Sequence, residues 1–345
     1  ENSINLGFDL FKEIGYILSG HHEIIQKGRK NQLNKEILKT PVVDFHEELL
    51  IKSILIGCNY LNLPLVRKSY WPYGKKFAVC LTHDVDEFKK TYQWITRPIR
   101  SIKNKDFTAL KNQIVSLYNK IQGKEPYWTF EEIMEIEKES EVKSTYYFLK
   151  ENGKKSLFKP ENWHLYGRCH SLQKPWIKEI IKELYDNGHE IGVHGSTFSY
   201  KDPEIIKEQK KEIEQISGAK IYGIRQHRLN MNIPITWEYQ TDAGLLYDTS
   251  LGYKAINGNG FRFGTCFPFY PAGIDNNPMK ILEIPLSIMD VSLPPGTKGW
   301  DQAENIVNTV EEFNGVLTLL WHPPVFNPLE YPLLGEYYRK LINLC

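Results

Sequence analysis

The stretch Phe77-Ala-Val-Cys-Leu-Thr-His-Asp-Val-Asp86 sets a short apolar run directly before two acids. A run of this length with no polar alternate suits a strand buried on both faces, the habit of parallel sheets. It ends in Thr82-His83-Asp84-Val85-Asp86, and alternation in extended backbone sends Asp84 and Asp86 to the same side. Two carboxylates so close repel one another unless a cation or an arginine stands near.

Downstream, helical and strand patterns alternate. Helices are predicted over 130–139, 175–187, 203–216, 303–313 and 337–344, and strands over 144–149, 190–193, 221–225 and 315–321. Repeated β-α units predict an α/β fold with a parallel sheet, open or closed into a barrel. Upstream, residues 1–73 read as a helical module. Phe8, Leu10, Phe11, Ile14, Ile17 and Leu18 recur at near-helical spacing, as do Phe45, Leu49, Leu50, Ile54 and Leu55. Residues 74–345 form the second unit, interrupted by a helical insertion at about 87–125 that carries nine Lys/Arg against three acids. The insertion reads as a solvated helical face, with contact to an anionic substrate or a membrane surface as the alternative.

Composition narrows the classes. The 345 residues are 41% hydrophobic and 25% charged, a globular mix that excludes global disorder. Lys+Arg 43 against Asp+Glu 42 leaves +1, without the basic excess of a dedicated nucleic-acid binder. No apolar run approaches the roughly 18–20 residues of a membrane span; Leu49 to Val66 is broken by Lys52, Asn59, Asn62 and Pro64. No signal peptide opens the sequence, so the expected location is the cytoplasm, an expectation that a missing upstream segment would remove. The five cysteines are widely spaced with no C-x-x-C pair and read as reduced thiols.

In parallel α/β folds, functional side chains gather beyond the carboxyl ends of strands. Four such ends here carry polar groups. Besides Asp84 and Asp86, His194 in Val193-His194-Gly-Ser196 suits a metal ligand on a tight turn, with a satisfied buried histidine as the alternative. Arg225 in Ile224-Arg225-Gln-His227-Arg228 can orient a carboxylate by a bidentate pair. His322 in Leu319-Leu-Trp-His322-Pro-Pro324 is a candidate general acid.

Each signal is weak alone, but the order D-x-D, His, Arg, His, each after its own strand, resembles the polysaccharide deacetylase family (NodB homology, carbohydrate esterase 4-like) in its T-H-D-V-D branch. The likeness covers roughly residues 75–325. It implies a distorted (β/α) barrel of about seven strands. It further implies a metal-dependent hydrolase that removes an N-acetyl or similar acyl group from an amino sugar in bacterial surface-polysaccharide or cell-wall metabolism. Asp84 would be the general base, Arg225 its partner, and Asp86 and His194 metal ligands. His322 would be the general acid, kept protonated by Asp290 or, as second candidate, Asp248. The metal would be divalent, with Zn²⁺ the expected ion, polarising the acyl oxygen and lowering the pKa of bound water. A backbone N–H near His227 or Arg228 would hold the oxyanion.

One departure matters. The family's second histidine, four residues after the first, falls here on Phe198, which cannot ligate, and Ser196 and Ser199 are poor Zn²⁺ ligands. His227, two residues beyond Arg225, is the expected replacement, with contact to substrate or solvent as the alternative. His83 points away from Asp84 by alternation and is expected to pack. His21, His22, His46, His164, His170 and His189 are assigned to structure or surface. Tyr253, Phe261, Phe267, Phe269 and Tyr270 either line a sugar groove or pack in the core. The alternatives to a deacetylase are a catalytically silent carbohydrate-binding relative and a hydrolase of a non-sugar linear amide.

Overall fold

The structure, a computed structural model, describes residues 3–22, 39–253, 258–275 and 277–345. Its centre is one eight-stranded sheet. The strands are β1 (Ala78–Val85), β2 (Thr145–Leu149), β3 (Glu190–Gly195), β4 (Gly223–Gln226), β5 (Tyr247–Asp248), β6 (Leu282–Glu283), β7 (Ile288–Met289) and β8 (Val316–Leu320). They lie in the order β6-β5-β4-β3-β2-β1-β8-β7, and every neighbouring pair is parallel. The sheet curls into the expected distorted (β/α) barrel, left open between β6 and β7 among the described residues. The sheet has eight strands where the resemblance implied about seven, and β5, β6 and β7 are only two residues long.

The long strands are buried on both faces: β8 (Val-Leu-Thr-Leu-Leu) and β4 (Gly-Ile-Arg-Gln) are buried throughout. That explains the apolar run of β8, broken only by Thr318, while β4 buries Arg225 and Gln226 as well. Helices cover the outside. Pro175–Asp186 turns Ile177, Ile180, Ile181 and Leu184 inward at helical spacing. Pro203–Ser217 begins with Asp202 capping the Glu204 amide and ends at Gly218, whose φ of 70° closes the helix in the left-handed region. Each such buried aliphatic side chain contributes roughly 1.5–3 kcal/mol. Thr297–Phe313 and Leu334–Leu344 complete the cover and start three to six residues earlier than their apolar spacing suggests.

The N-terminal part is helical as expected, with Leu10–Leu18 and Val42–Tyr60. It buries little of its own: Leu10 in the first helix, Val43 and Asp44 in the second. It is held to the barrel by Asp44, whose carboxylate accepts from Thr265 Oγ1 (2.6 Å) and from the Cys266 amide (2.8 Å). Burial pushes the Asp44 carboxyl up, and these bonds hold it back. The segment is therefore an outer layer docked on residues 263–266. All five cysteines are free thiols. The insertion forms two helices, Gln93–Lys103 and Phe107–Ile121. Its outward side is not simply the charged face expected, since aliphatic side chains share it with the lysines and arginines.

Candidate active site

Asp84 is the penultimate residue of β1 and Asp86 follows its end, both buried. Alternation sends His83 the other way. Its ring nitrogens lie 2.8 Å from the Trp321 carbonyl oxygen and 3.0 Å from Glu137 Oε1, in a buried network with Tyr338, Ser144 and His189. On the site side, β4 delivers Arg225, fully buried, whose Nη1 donates to Asp84 Oδ1 (3.0 Å) and to Thr82 Oγ1 (2.7 Å), while Nε donates to the Thr249 carbonyl (3.1 Å). The guanidinium lies 4.9 Å from the centre of the Tyr147 ring, and that ring has room only because residue 192 is glycine. A Cβ there would come within 2.5 Å of the Tyr147 ring. Arg225 is thus fixed from four directions, and Asp84 with it.

The carboxyl ends of β1, β3 and β4 bring Asp86, His194 and His227 together, with one ligand atom of each within 4.8 Å of the others. His194 Nδ1 donates to the Arg225 carbonyl oxygen (2.8 Å), which turns Nε2 toward Asp86 Oδ1 (3.1 Å) and Asp84 Oδ2 (3.5 Å). His227 Nδ1 faces Glu151 Oε2 (3.0 Å) and its Nε2 lies 3.5 Å from Asp86 Oδ2. Each imidazole is anchored through Nδ1 by an oxygen acceptor and aims Nε2 inward, the arrangement that prepares histidines for a metal. Asp86 Oδ1 is buried and makes no well-angled hydrogen bond. An orphaned carboxylate oxygen beside two inward imidazole nitrogens is a donor set that fits a divalent ion, and its N,N,O composition suits Zn²⁺.

Arg168 enters the same cluster from the loop after β2. Its Nη2 lies 3.1 Å from Asp86 Oδ2, its Nη1 3.2 Å from His227 Nε2 and its Nε 3.3 Å from Glu87 Oε1. Burial opposes the charge on Asp86. The Arg168 guanidinium and His227 outweigh it and hold that carboxyl well below the usual range. Burial likewise opposes the His227 imidazolium, but Asp86 and Glu151 raise it above the ordinary histidine value. Glu151, hydrogen-bonded by His227 and by the amide and hydroxyl of Thr197, is lowered to about 2 against the cost of its burial.

At the end of β8, His322 Nδ1 lies 2.9 Å from Asp290 Oδ1, and its backbone amide donates to Asp290 Oδ2 (2.6 Å). Burial disfavours the imidazolium, yet the Asp290 charge and hydrogen bond raise His322 to about 9. Asp248, the second candidate for this partnership, is elsewhere. It accepts from Ser250 Oγ (2.5 Å) and shares a buried contact with Glu283, each carboxyl pushed up by burial, and Glu283 further by the Asp248 charge.

One cleft of about 400 Å³ is lined by Asp84, Asp86, His194, His227 and His322 together with Arg168, Arg228 and Leu229. Arg228 and Leu229 hold φ of 60° and 52°, a turn that carries the chain around the cleft directly after His227. Phe198 is exposed and Ser199 bonds to Gln226 and Ser196, so neither enters the donor set. Phe261, Phe267 and Phe269 pack in or against the core, away from the cleft lining, and Tyr270 is exposed. Glu151, Thr197 and Arg168 were not among the residues expected. Glu151 had a signal, since it stands two residues past β2 at the same end of the sheet as the others.

No family model matches the chain, and no curated relative matches it significantly. Solved structures similar to it include a protein of Mycobacterium smegmatis assigned as a polysaccharide deacetylase, at 18% identity and TM-score 0.49, covering 81% of this chain and 89% of that one. They also include the Puue allantoinase, at 14% identity and TM-score 0.49, covering 81% and 87%. A third, from Pseudomonas aeruginosa PAO1 and also assigned as a polysaccharide deacetylase, has 14% identity and TM-score 0.49, covering 83% and 90%.

Proposed function

We propose that the chain is a metal-dependent hydrolase that removes an N-acetyl or similar acyl group from an amino sugar. The observation that carries this reading is the gathering, in one cleft, of a Asp86–His194–His227 donor set, an Arg225-held Asp84 and an Asp290-held His322. A bound divalent ion, Zn²⁺ by its donors, would polarise the acyl oxygen and make water acidic enough to be deprotonated near neutrality. Asp84 would take that proton as the water oxygen bonds to the acyl carbon; its other oxygen is occupied by Arg225, which keeps the carboxylate aimed. His322 gives a proton to the amine nitrogen as the C–N bond breaks, since an unprotonated amine is too basic to leave. Backbone amides of the turn at Arg228 are the candidates for the oxyanion.

A test combines metal analysis of the purified protein with release of acetate from N-acetylated amino sugars, with and without chelator. Chelator-sensitive release that Asp84→Asn abolishes supports the reading. Release that persists unchanged in Asp84→Asn removes Asp84 as the base. A second reading is a silent carbohydrate-binding relative. It is favoured by Arg168, a cation whose guanidinium already contacts two of the three donors. Stoichiometric Zn²⁺ uptake lost in His194→Ala and His227→Ala speaks against it. Activity on a linear non-sugar amide in place of sugars would move the substrate class without moving the chemistry.

A further inference from the structure

The hairpin made by Gln93–Lys103 and Phe107–Ile121 is built inside out. The residues it buries are polar: Gln93 and Ser101 in the first helix, Gln113 and Ser116 in the second. A buried Lys90 holds this inner face to the loop after β8, donating to Gln113 Oε1 and Glu330 Oε1 at 2.6 Å each; Ser116 Oγ also donates to Glu330 Oε1 (2.6 Å). The apolar residues face outward instead. Ile99, Ile102, Phe107, Ile114, Tyr118 and Ile121 are all exposed, Phe107 by 78% and Ile121 by 77%. A helix packed on a globular domain carries the reverse arrangement. Spacings of three, four and seven residues place these side chains along one stripe of each helix.

Charge identifies what this face meets. Residues 93–121 hold six Lys/Arg and one acid, Asp106. Arg100, Lys103, Lys105 and Lys111 are exposed among the apolar side chains. An exposed apolar stripe flanked by basic residues, on helices of 11 and 15 residues that are too short to span, is the pattern of an interfacial element. We propose that this hairpin docks the protein on an anionic phospholipid surface, with the aliphatic and aromatic side chains at the headgroup boundary and the basic ones on lipid phosphates. A second copy of the chain fits the face less well, because symmetric pairing would press two surfaces of excess positive charge together. The hairpin leaves the sheet just after Asp86, at the end that carries the cleft.

The test is co-sedimentation of the full chain with vesicles of phosphatidylglycerol and phosphatidylcholine in equal parts, against phosphatidylcholine alone. Binding is expected to the anionic vesicles, to weaken with salt, and to fall about tenfold in Ile102→Glu/Ile114→Glu. An unchanged melting temperature checks that this exposed double variant folds. Should it not fold, Lys103→Gln/Lys111→Gln carries the test through loss of the preference for anionic vesicles. Absence of vesicle binding by the unaltered chain overturns the proposal, as does binding that neither pair of substitutions weakens. Self-association that Ile102→Glu/Ile114→Glu abolishes, with no vesicle binding, also overturns it and assigns the face to a second copy.

Discussion

Burial alone would strip the proton from His322, since a charged imidazole loses its hydration there. Asp290 reverses the balance with a buried carboxylate 2.9 Å from Nδ1, and the value reaches about 9. The sign follows directly: His322 keeps its proton below about pH 9 and loses it above. If it is the donor to the leaving amine, kcat/KM holds through neutrality and falls as pH rises past about 9. Asp290→Asn removes the charge that raises it, so the descending limb should move to lower pH by about a unit or more, with metal content unchanged. A pH profile of both proteins decides this, and a limb left in place would detach Asp290 from the acid. At Asp84 the expectation is a loss of about 10²–10⁴-fold in kcat for Asp84→Asn, measured by acetate release, with the metal retained because the donors lie on other residues.

Among the elements, β1 does two jobs on its two faces. One face gives Asp84 to the cleft; the other gives His83 to the buried Glu137, which also accepts from Tyr338 Oη (2.5 Å) and Ser144 Oγ (3.0 Å). Glu137→Ala would remove the buried acceptor that Tyr338 and Ser144 share and that His83 faces, at about 3 kcal/mol of stability by urea unfolding. Zn²⁺ affinity should not change, because none of the donors touches Glu137. The same strand shows what was legible beforehand. Its apolar run and the alternation of His83 and Asp84 were readable because a buried parallel strand imposes both. The two-residue strands β5 to β7 were not, being too short for any period. Arg168 lies in a four-residue helix within a long loop, where spacing carries no message about direction. His227 could be proposed from its place after β4, but its Glu151 anchor depends on the sheet order that sets β2 and β4 on either side of β3.

For the molecule as a whole, the donors of the proposed ion come from three places far apart in sequence: the end of β1, β3, and the turn after β4. Only the folded sheet assembles them, so an ion bound there stabilises the native state by mass action. At free Zn²⁺ one hundred times the dissociation constant this amounts to about 2.7 kcal/mol. For a chain of this size that is a rise of ~5 °C in melting temperature, reversed by chelator. The unfolded chain would also hold some Zn²⁺ through its five free thiols, which reduces the shift. His194→Ala/His227→Ala keeps all five thiols and removes two of the three donors, so the difference between the two proteins isolates the site. The double variant should show no rise with Zn²⁺, and a fall to the extent that the thiols of the unfolded chain bind the ion. A shift of equal size in both would place the ion elsewhere in the chain and leave Arg168 as the cation that balances Asp86.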